Sequence, residues 1–369
     1  MLETPSKLQR DAARNVVTHY LKVRAGENAI IESWDHTMPM ASAMLDEVRR
    51  VGGKALLVHN DEDSWWRAID RKQSRLLGEA SAPEWAALKA ADVYVNFWGP
   101  GDTDRIEKLP DRAGDEAFAW NWPWYAVARR TGLRGVRMTT GFVTEGRAQK
   151  WGVDRAQWEE DLLRASLVDP QEMAKTGTRL CKALSGGKKV RITHSNGTDL
   201  EVALAGVAPR MHDGRPHPWD KRSSPSGMLE SIPAGYVDFV LDSGTAEGVI
   251  YANRRTNIWW NWHAGGTLEF ADGRLTSYSF EEGEKELARQ YKRGTAGKDR
   301  ASALTLGLNP AVKDVANLEK SEGGCVSLQI GGNRGLGGTN RSSFFTWISL
   351  AGSEIAIDGT PVARAGKFL

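Results

Sequence analysis

The sequence predicts an α/β fold in two parts: a doubly wound parallel-sheet domain, followed by an α+β domain rich in antiparallel strands. Three observations predict this class. Strand-length apolar runs alternate with helix-length amphipathic segments in the first half of the chain. After Gly186 and Gly187 the pattern changes to short strands separated by Gly, Asp and Asn. The 369 residues also suffice for two domains of ordinary size. We therefore predict domains at residues 1–186 and 187–369.

The elements of the first domain follow from hydrophobic periodicity. In the first helix, Ala12, Val16 and Leu21 fall at helical spacing, and Gly26 follows the end of the helix. The predicted elements are, in order, a helix at residues 7–23, a strand at 28–33, a helix at 40–51, a strand at 54–59, a helix at 83–89, a strand at 92–98, and helices at 149–168 and 170–184. No Gly-x-Gly-x-x-Gly motif follows the first strand, so the nucleotide-binding form of this architecture is not predicted.

The second domain is predicted from short segments of alternating polarity. Alternation with a period of two is typical of strands that bury one face, as in antiparallel sheets. The predicted strands include residues 190–193, 199–204, 236–241 and 267–270. We expect any active-site cavity to lie in this second domain.

Composition limits the partners that the protein can bind. The 49 basic and 47 acidic residues give a net charge of +2, so the chain has no electrostatic footprint for nucleic acid or an anionic membrane. We expect a small-molecule substrate. Cys181 and Cys325 show no metal-ligand spacing, which favours reduced core thiols. The N-terminus has no signal pattern and no run of about 18 apolar residues occurs, so we expect a soluble, cytoplasmic protein.

Tryptophan is unusually frequent, with 15 residues, several of them clustered. The clusters are Trp65-Trp66, Trp120/Trp122/Trp124, and Trp259-Trp260-Asn-Trp262. A tryptophan ring is large and carries an N–H that needs a partner when it is buried. Such clusters therefore indicate either core packing or an aromatic-lined pocket.

Residues 324–347 form the most informative segment, because a strand runs into a glycine-rich turn and then into Thr-Asn-Arg-Ser-Ser. Further landmarks occur in order along the chain, at residues 21–31, 91–93, 151–154, 191–200, 225–233 and 357–362. Taken together and in this order, these segments resemble the thermophilic metallopeptidase (aminopeptidase T-like) family. The resemblance covers nearly the whole chain and implies the two-domain fold, a two-metal aminopeptidase chemistry and a homodimer.

The chain departs from that family where the family binds its metals. The resemblance implies metal-site side chains at, or close to, the positions of Met228, Ala303, Ser327, Arg334, Phe345 and Trp347. Divalent metal sites need carboxylate, imidazole or thiolate ligands, and these residues supply none. We therefore predict that the protein uses neither the two-metal mechanism nor another cofactor.

The replacements share a chemical theme, since they are an arginine and aromatic rings. Arg334 is expected to pair with a substrate carboxylate, with Arg341 as a second anion clamp. A planar substrate would pack against the side chains of Met228, Trp259, Trp262, Phe345 and Trp347. More distantly, the resemblance extends to 2,5-dihydroxypyridine dioxygenase and 5-nitroanthranilate aminohydrolase, which implies a small carboxylated or hydroxylated aromatic ring as substrate.

Candidate proton-transfer groups lie elsewhere in the second half of the chain. His263 follows the Trp259–Trp262 cluster and precedes two glycines, which favours it as a general base. Glu230 is a candidate carboxylate, with Asp238 as a second. Ser327 as a nucleophile would need a base nearby, and no Gly-x-Ser-x-Gly elbow is present. The stretch from His212 to Asp220 holds ligand-type residues, but its Pro and Gly spacing favours a loop.

The function expected from the sequence is a metal-independent enzyme that acts on a small aromatic or carboxylated molecule by hydrolysis, elimination or hydration. Two alternatives stay open at this stage. One is a non-catalytic pseudoenzyme or binding subunit, and the other is a metallo-aminopeptidase or dioxygenase with relocated metal ligands.

Overall fold

The computed structural model describes residues 4–217, 229–258 and 261–369. The chain forms two compact units, each built from two chain segments. They are Met1–Asp169 with Gly214–Pro233, and Pro170–Asp213 with Ala234–Leu369. The sequence-based division differs in two places, because the helix that starts at Pro170 belongs to the second unit and residues 214–233 belong to the first.

The described helices and strands are as follows. The helices are α1 (Lys7–Asn15), α2 (Met38–Arg50), α3 (Glu62–Asp70), α4 (Ser74–Leu77), α5 (Ala82–Ala90), α6 (Thr103–Glu107), α7 (Asp111–Ala117), α8 (Asn121–Thr131), α9 (Glu145–Trp151), α10 (Arg155–Ala165), α11 (Pro170–Gly186) and α12 (Glu284–Arg293). The strands are β1 (Asn28–Trp34), β2 (Lys54–Asn60), β3 (Val93–Phe97), β4 (Arg134–Met138), β5 (Lys189–Thr193), β6 (Asp199–Ala203), β7 (Arg210–His212), β8 (Leu229–Ile232), β9 (Tyr236–Val240), β10 (Glu247–Tyr251), β11 (Thr256–Ile258), β12 (Asn261–His263), β13 (Thr267–Ala271), β14 (Arg274–Ser279), β15 (Ala301–Gly307), β16 (Val326–Gly331), β17 (Phe345–Leu350), β18 (Glu354–Ile357), β19 (Thr360–Arg364) and β20 (Lys367–Phe368). Among the helices of these ranges, none is both long and apolar enough to cross a membrane.

The first unit is built on a parallel sheet in the order β2-β1-β3-β4-β8. β1 is buried along almost its whole length, as expected for a central parallel strand covered on both faces. β8 joins this sheet beside β4, although the second unit's α11 and β5 to β7 intervene in the sequence.

Two predicted helices of this unit are divided. The segment 7–23 is an α-helix only to Asn15 and continues as one π-helical turn. The segment 149–168 contains a break at Gly152, which ends α9 in the left-handed conformation with φ 63°. Asp154 then starts α10 by accepting a hydrogen bond from the backbone N–H of Gln157 at 2.7 Å. Turn chemistry thus overrides the apolar periodicity.

A buried carboxyl group lies near the carboxyl ends of the parallel strands. Glu32 on β1 is 8% exposed and accepts hydrogen bonds from Asn60 at 3.0 Å, from Asn96 at 3.4 Å and from the Tyr94 hydroxyl. Burial raises the pKa of Glu32 to about 7, against the lowering effect of the two amides. The group ties together three neighbouring strands.

The second unit contains two larger sheets and one hairpin. The first sheet has the order β14-β13-β10-β6-β5-β18-β19-β20, the second has the order β17-β16-β15-β9-β7, and β11 pairs with β12. The strand pairs of both sheets are antiparallel. The predicted fold class, a parallel-sheet α/β part followed by a part rich in antiparallel strands, is confirmed.

The β17-β16-β15-β9-β7 sheet has one apolar and one polar face. Leu304, Leu328 and Ile348 stand directly opposite one another on one face, and none is more than 1% exposed. Gly324, just before β16, has φ +79°, and a Cβ atom there would lie 1.5 Å from the carbonyl oxygen of Gly366. Only glycine fits this backbone approach. The other face carries the candidate site.

Candidate functional site

A row of four polar side chains crosses the five-stranded sheet. Asp238, Thr305, Ser327 and Ser349 stand in direct register on β9, β15, β16 and β17, so their side chains share one face. The Thr305 hydroxyl donates to Asp238 Oδ1 at 2.5 Å, and the Ser327 and Ser349 hydroxyls are 2.7 Å apart. We call these four residues the polar row. Each is at most 5% exposed, so these hydrogen bonds satisfy groups that water hardly reaches.

His212 extends the polar row at the edge of the sheet. It belongs to β7, which pairs with β9, and its ring stacks on Tyr236 with 4.5 Å between centroids. His212 Nε2 lies 3.4 Å from Asp238 Oδ2. Burial acts to raise the pKa of Asp238, but the hydrogen bond and charge of His212, with Lys320 and Thr305, lower it overall. Asp238 is therefore an ionised acceptor at neutral pH.

Lys320 places an amine over the same face. Its Nζ lies 3.8 Å from the ring centroid of Trp347, a cation–π distance. Burial lowers the pKa of Lys320, while the carboxylates of Asp238 and Glu319 act to raise it. The residue as a whole is partly exposed, whereas its amine is desolvated by burial.

Hydrogen bonds fix the irregular segment that carries Lys320. Trp347 Nε1 donates to Glu319 Oε1 at 2.9 Å. The backbone N–H of Asn309 donates to the carbonyl of Ser321 at 2.9 Å, and the side chain of Asn309 donates to the carbonyl of Ala234 at 2.9 Å. These contacts on both sides of Lys320 position the amine without any regular element of secondary structure.

An aromatic wall borders the amine. Phe345 and Trp347 are two residues apart on β17, so both lie on the polar face. Their rings are nearly parallel, at 11°, with centroids 6.3 Å apart. Both side chains are partly exposed. The structure thus places these two predicted residues side by side, and Trp347 lies under the Lys320 amine.

Arg334 and Arg341 lie on the glycine-rich loop that joins β16 to β17. Both are exposed, and within the described ranges neither guanidinium has a recorded ion pair. The 3₁₀ turn Arg334–Leu336 contacts β9, and Arg210 Nη1 donates to the carbonyl of Gly335 at 2.8 Å. Asn333 Oδ1 accepts from the backbone of Asn340 at 2.9 Å, which closes the loop. The loop thus holds the turn of Arg334 beside β9, the strand of Asp238.

His263 lies on the other side of the sheet. Its Nε2 is 3.2 Å from the hydroxyl of Thr346, whose side chain points away from the face of Phe345 and Trp347 because it is an odd number of residues from both. Its ring packs edge-on against Phe280 at 4.7 Å. Burial lowers the pKa of His263 to about 4. The structure therefore does not bring His263 together with Ser327 or the aromatic wall.

The remaining predicted residues fall in different places. Glu230 is buried on β8 in the first unit, opposite Val136, whereas the polar row belongs to the second unit. The Trp262 ring packs under the guanidinium of Arg255 at 4.4 Å. Met228 and Trp259 lie outside the described residues.

Sequence reasoning missed Lys320 and Thr305, and interpreted His212 as part of a loop. The alternation within β15 could have pointed to Thr305, since its apolar neighbours Leu304 and Leu306 lie on the opposite face. Lys320 gives no such signal, because it lies in an irregular segment whose path depends on hydrogen bonds from distant strands.

The positions at which the family resemblance implies metal ligands carry no such ligands on the polar face. Ala303, Ser327, Phe345 and Trp347 lie on this face and offer no carboxylate, imidazole or thiolate. Within the parts of the chain that the structure describes, no three His, Cys, Asp or Glu side chains are grouped so that they could hold a metal ion.

Comparison with solved structures shows the fold. The chain is similar to wild-type AmpT (aminopeptidase T) from Thermus thermophilus, with a TM-score of 0.71 and 17% identity over 98% of this chain and 99% of that chain. It is also similar to 2,5-dihydroxypyridine dioxygenase from Pseudomonas putida KT2440, with a TM-score of 0.63 and 14% identity over 98% and 97%. No protein-family model and no curated protein matches the sequence. At these identities the likeness shows the fold and not the activity.

Proposed function

We propose that the protein is an enzyme that transfers protons on a small aromatic or carboxylated molecule, without metal ions at the positions that the family resemblance implies. The observation that carries this proposal is the Lys320 amine over Trp347, on the same sheet face as the His212–Asp238 pair. A desolvated amine on the same sheet face as a carboxylate is a combination that supports general acid–base catalysis near neutral pH.

Each group has a role in this proposal. Lys320 removes or returns the proton of the reacting centre, because burial favours its neutral form. Asp238 with His212 exchanges protons with the amine. Phe345 and Trp347 pack the substrate ring. Such a set supports elimination, hydration or hydrolysis equally.

The exposed arginines would bind the substrate carboxylate. Arg334 and Arg341 leave the same loop, and a guanidinium matches a carboxylate with two parallel hydrogen bonds. Likeness in fold to an aminopeptidase and a dioxygenase of a small aromatic compound is compatible with such a substrate and does not identify it.

Binding can be tested before the substrate is known. Tryptophan fluorescence titration with benzoate and 2-aminobenzoate should detect binding to the wild type, since Trp347 lines the site. Arg334→Ala and Arg341→Ala should each weaken binding at least about tenfold, because a hydrogen bond to a charged group contributes about 1.5–3 kcal/mol. Arg293→Ala, which removes an exposed arginine at the end of α12, is the matched control. Equal affinities for all four proteins would contradict the proposed anion site.

Measurements of turnover and of metal content test the proposed proton-transfer groups and the proposed metal-free chemistry. Lys320→Met and Asp238→Asn should abolish conversion of any accepted substrate, as followed by proton NMR, while leaving carboxylate binding in place. Metal analysis of the purified protein supplies the counter-test. One or two stoichiometric transition ions whose removal stops turnover would overturn the metal-free chemistry.

A non-catalytic binding protein is the second candidate. It is favoured by the low exposure of Asp238, Thr305 and Ser327 and by their hydrogen bonds within the polar row, which also suit a purely structural role. Retained binding of aromatic carboxylates without turnover of any of them would favour this candidate.

A further inference from the structure

Lys320 has the geometry of a reactive amine rather than that of a surface lysine. Its backbone is fixed because the neighbouring Glu319 accepts a hydrogen bond from Trp347 Nε1 at 2.9 Å. Its Nζ then projects to 3.8 Å above the same indole ring. Part of the residue is exposed to solvent. The indole and the aromatic wall also make its surroundings poor in water.

The surroundings of the amine set its charge. Burial lowers its pKa, which increases the share of neutral amine, and only a neutral amine has the lone pair that a nucleophile needs. The charged groups that face it are the carboxylates of Asp238 and Glu319, and both oppose this effect. His212 stands behind Asp238 at 3.4 Å.

We propose that Lys320 is a nucleophile that forms an imine with an aldehyde or ketone substrate at the polar face. This inference rests on the proposed function and narrows its substrate class to carbonyl compounds. The ring or carboxylate of such a molecule would meet Trp347 or the arginine loop, and its carbonyl carbon would meet Nζ. Lysine amines that burial keeps neutral are suited to this chemistry.

The step balances without an oxidant or another reactant. The lone pair of Nζ forms the N–C bond, the carbonyl π pair moves to oxygen, and one amine proton passes to that oxygen through the His212–Asp238 pair. The carbinolamine then loses its oxygen as water with the second amine proton, which leaves a C=N bond. The imine withdraws electrons from the adjacent carbon. It therefore eases the proton removal that elimination or hydration requires.

Borohydride trapping tests the imine directly. The full-length protein is mixed with limiting 4-carboxybenzaldehyde near neutral pH and reduced with borohydride, and its peptides are analysed by mass spectrometry. Reduction adds the mass of the probe minus one oxygen atom to each modified lysine. Lys298 is the internal control, because its Nζ lies 4.7 Å from the Tyr291 ring in the same unit and it is also partly buried.

The expected result is a fast phase of modification at Lys320 that Lys298 lacks. Because both lysines are compared in one sample of wild-type protein, the result does not depend on a variant that must fold. Lys320→Arg should lose the fast phase and Lys298→Arg should keep it. Modification of Lys320 no faster than that of Lys298, or a fast phase that survives in Lys320→Arg, would overturn the proposal.

The experiments distinguish failure of the imine inference from failure of the proposed function. If Lys320→Met abolishes turnover of a substrate but no imine can be trapped, the lysine acts as a general base and only the imine inference fails. If benzoate does not bind and no lysine is modified selectively, both proposals fail. Selective modification that benzoate suppresses would support both.

Discussion

His263 should make the stability of the second unit depend on pH. The side chain is 4% exposed, and burial lowers its pKa from 6.5 to about 4. Between these two values the folded protein keeps His263 neutral while the unfolded chain binds a proton there. The unfolded state thus binds more protons, so stability rises with pH across this window. The full contribution is present above about pH 6.5 and is lost as the pH falls towards 4.

The size of the effect follows from the two pKa values. They differ by about 2.5, and each pKa unit corresponds to about 1.4 kcal/mol, so the free energy of unfolding should change by at most about 3 kcal/mol. His263→Gln removes the titrating group, and its amide can still bond to the hydroxyl of Thr346. Loss of the ring contact with Phe280 destabilises the variant at every pH alike.

Urea unfolding, followed by circular dichroism at pH steps between 4 and 7.5, measures this contribution. The difference between wild type and His263→Gln should shrink by about 3 kcal/mol as the pH falls from 6.5 to 4. His194→Gln, which removes a partly exposed histidine of the same unit, controls for the general effect of losing an imidazole. Parallel stability curves for wild type and His263→Gln would refute the assignment of His263 as a buried neutral group.

Three further predictions concern stability, each measured by urea unfolding. Glu32→Gln should remove a pH dependence of the free energy of unfolding whose sign is opposite to that of His263. Because the pKa of Glu32 is raised in the folded protein, this free energy falls by up to about 3 kcal/mol as the pH rises from 4.5 to 7, and an unchanged slope in the variant would contradict the prediction. Arg254→Met should destabilise by about 3 kcal/mol, since Arg254 bonds the buried Glu322 through two nitrogens at 2.6 and 2.7 Å; a change below 1 kcal/mol would count against it. Gly324→Ala should lower the free energy of unfolding several times more than Gly359→Ala, which should lower it by about 1 kcal/mol. Both glycines have φ +79°, but only at Gly324 would the added Cβ atom collide with backbone atoms, so similar losses would contradict the steric argument.

Much of the fold follows from local pattern. The first three parallel strands could be predicted because each is an apolar run followed by a helical segment. β8 could not be placed in the same way, since its partnership with β4 joins residues about 95 positions apart in sequence. Nothing local distinguishes such a strand from one in the following antiparallel sheets. The predicted boundary near Gly186 reflects the change of pattern rather than the crossing of the chain between units.

The candidate site depends even more than the fold on contacts between distant parts of the chain, which local sequence does not specify. Phe345 and Trp347 are both predicted to contact a substrate ring, and their spacing of two residues alone places them on one face of a strand. The nearness of Ser327 to Thr305 and Ser349 depends on strand pairing, which a single sequence does not specify. The position of His263 after the tryptophan cluster favours it as a general base. The face of the sheet on which it lies, however, depends on how the β11–β12 hairpin packs, and local sequence does not specify this. The position of Lys320 depends on the path of an irregular segment, so the sequence alone could not predict it.

The composition of the polar face is itself an argument for chemistry. Buried charges retained only for packing are a poor choice, because apolar residues of similar size are often neutral or stabilising in their place. Here Asp238 keeps two hydrogen-bonding partners and is held ionised, while the Lys320 amine is desolvated over an aromatic ring. The arrangement is better explained if the amine meets a ligand, which is the premise that both the proposed proton transfer and the imine share.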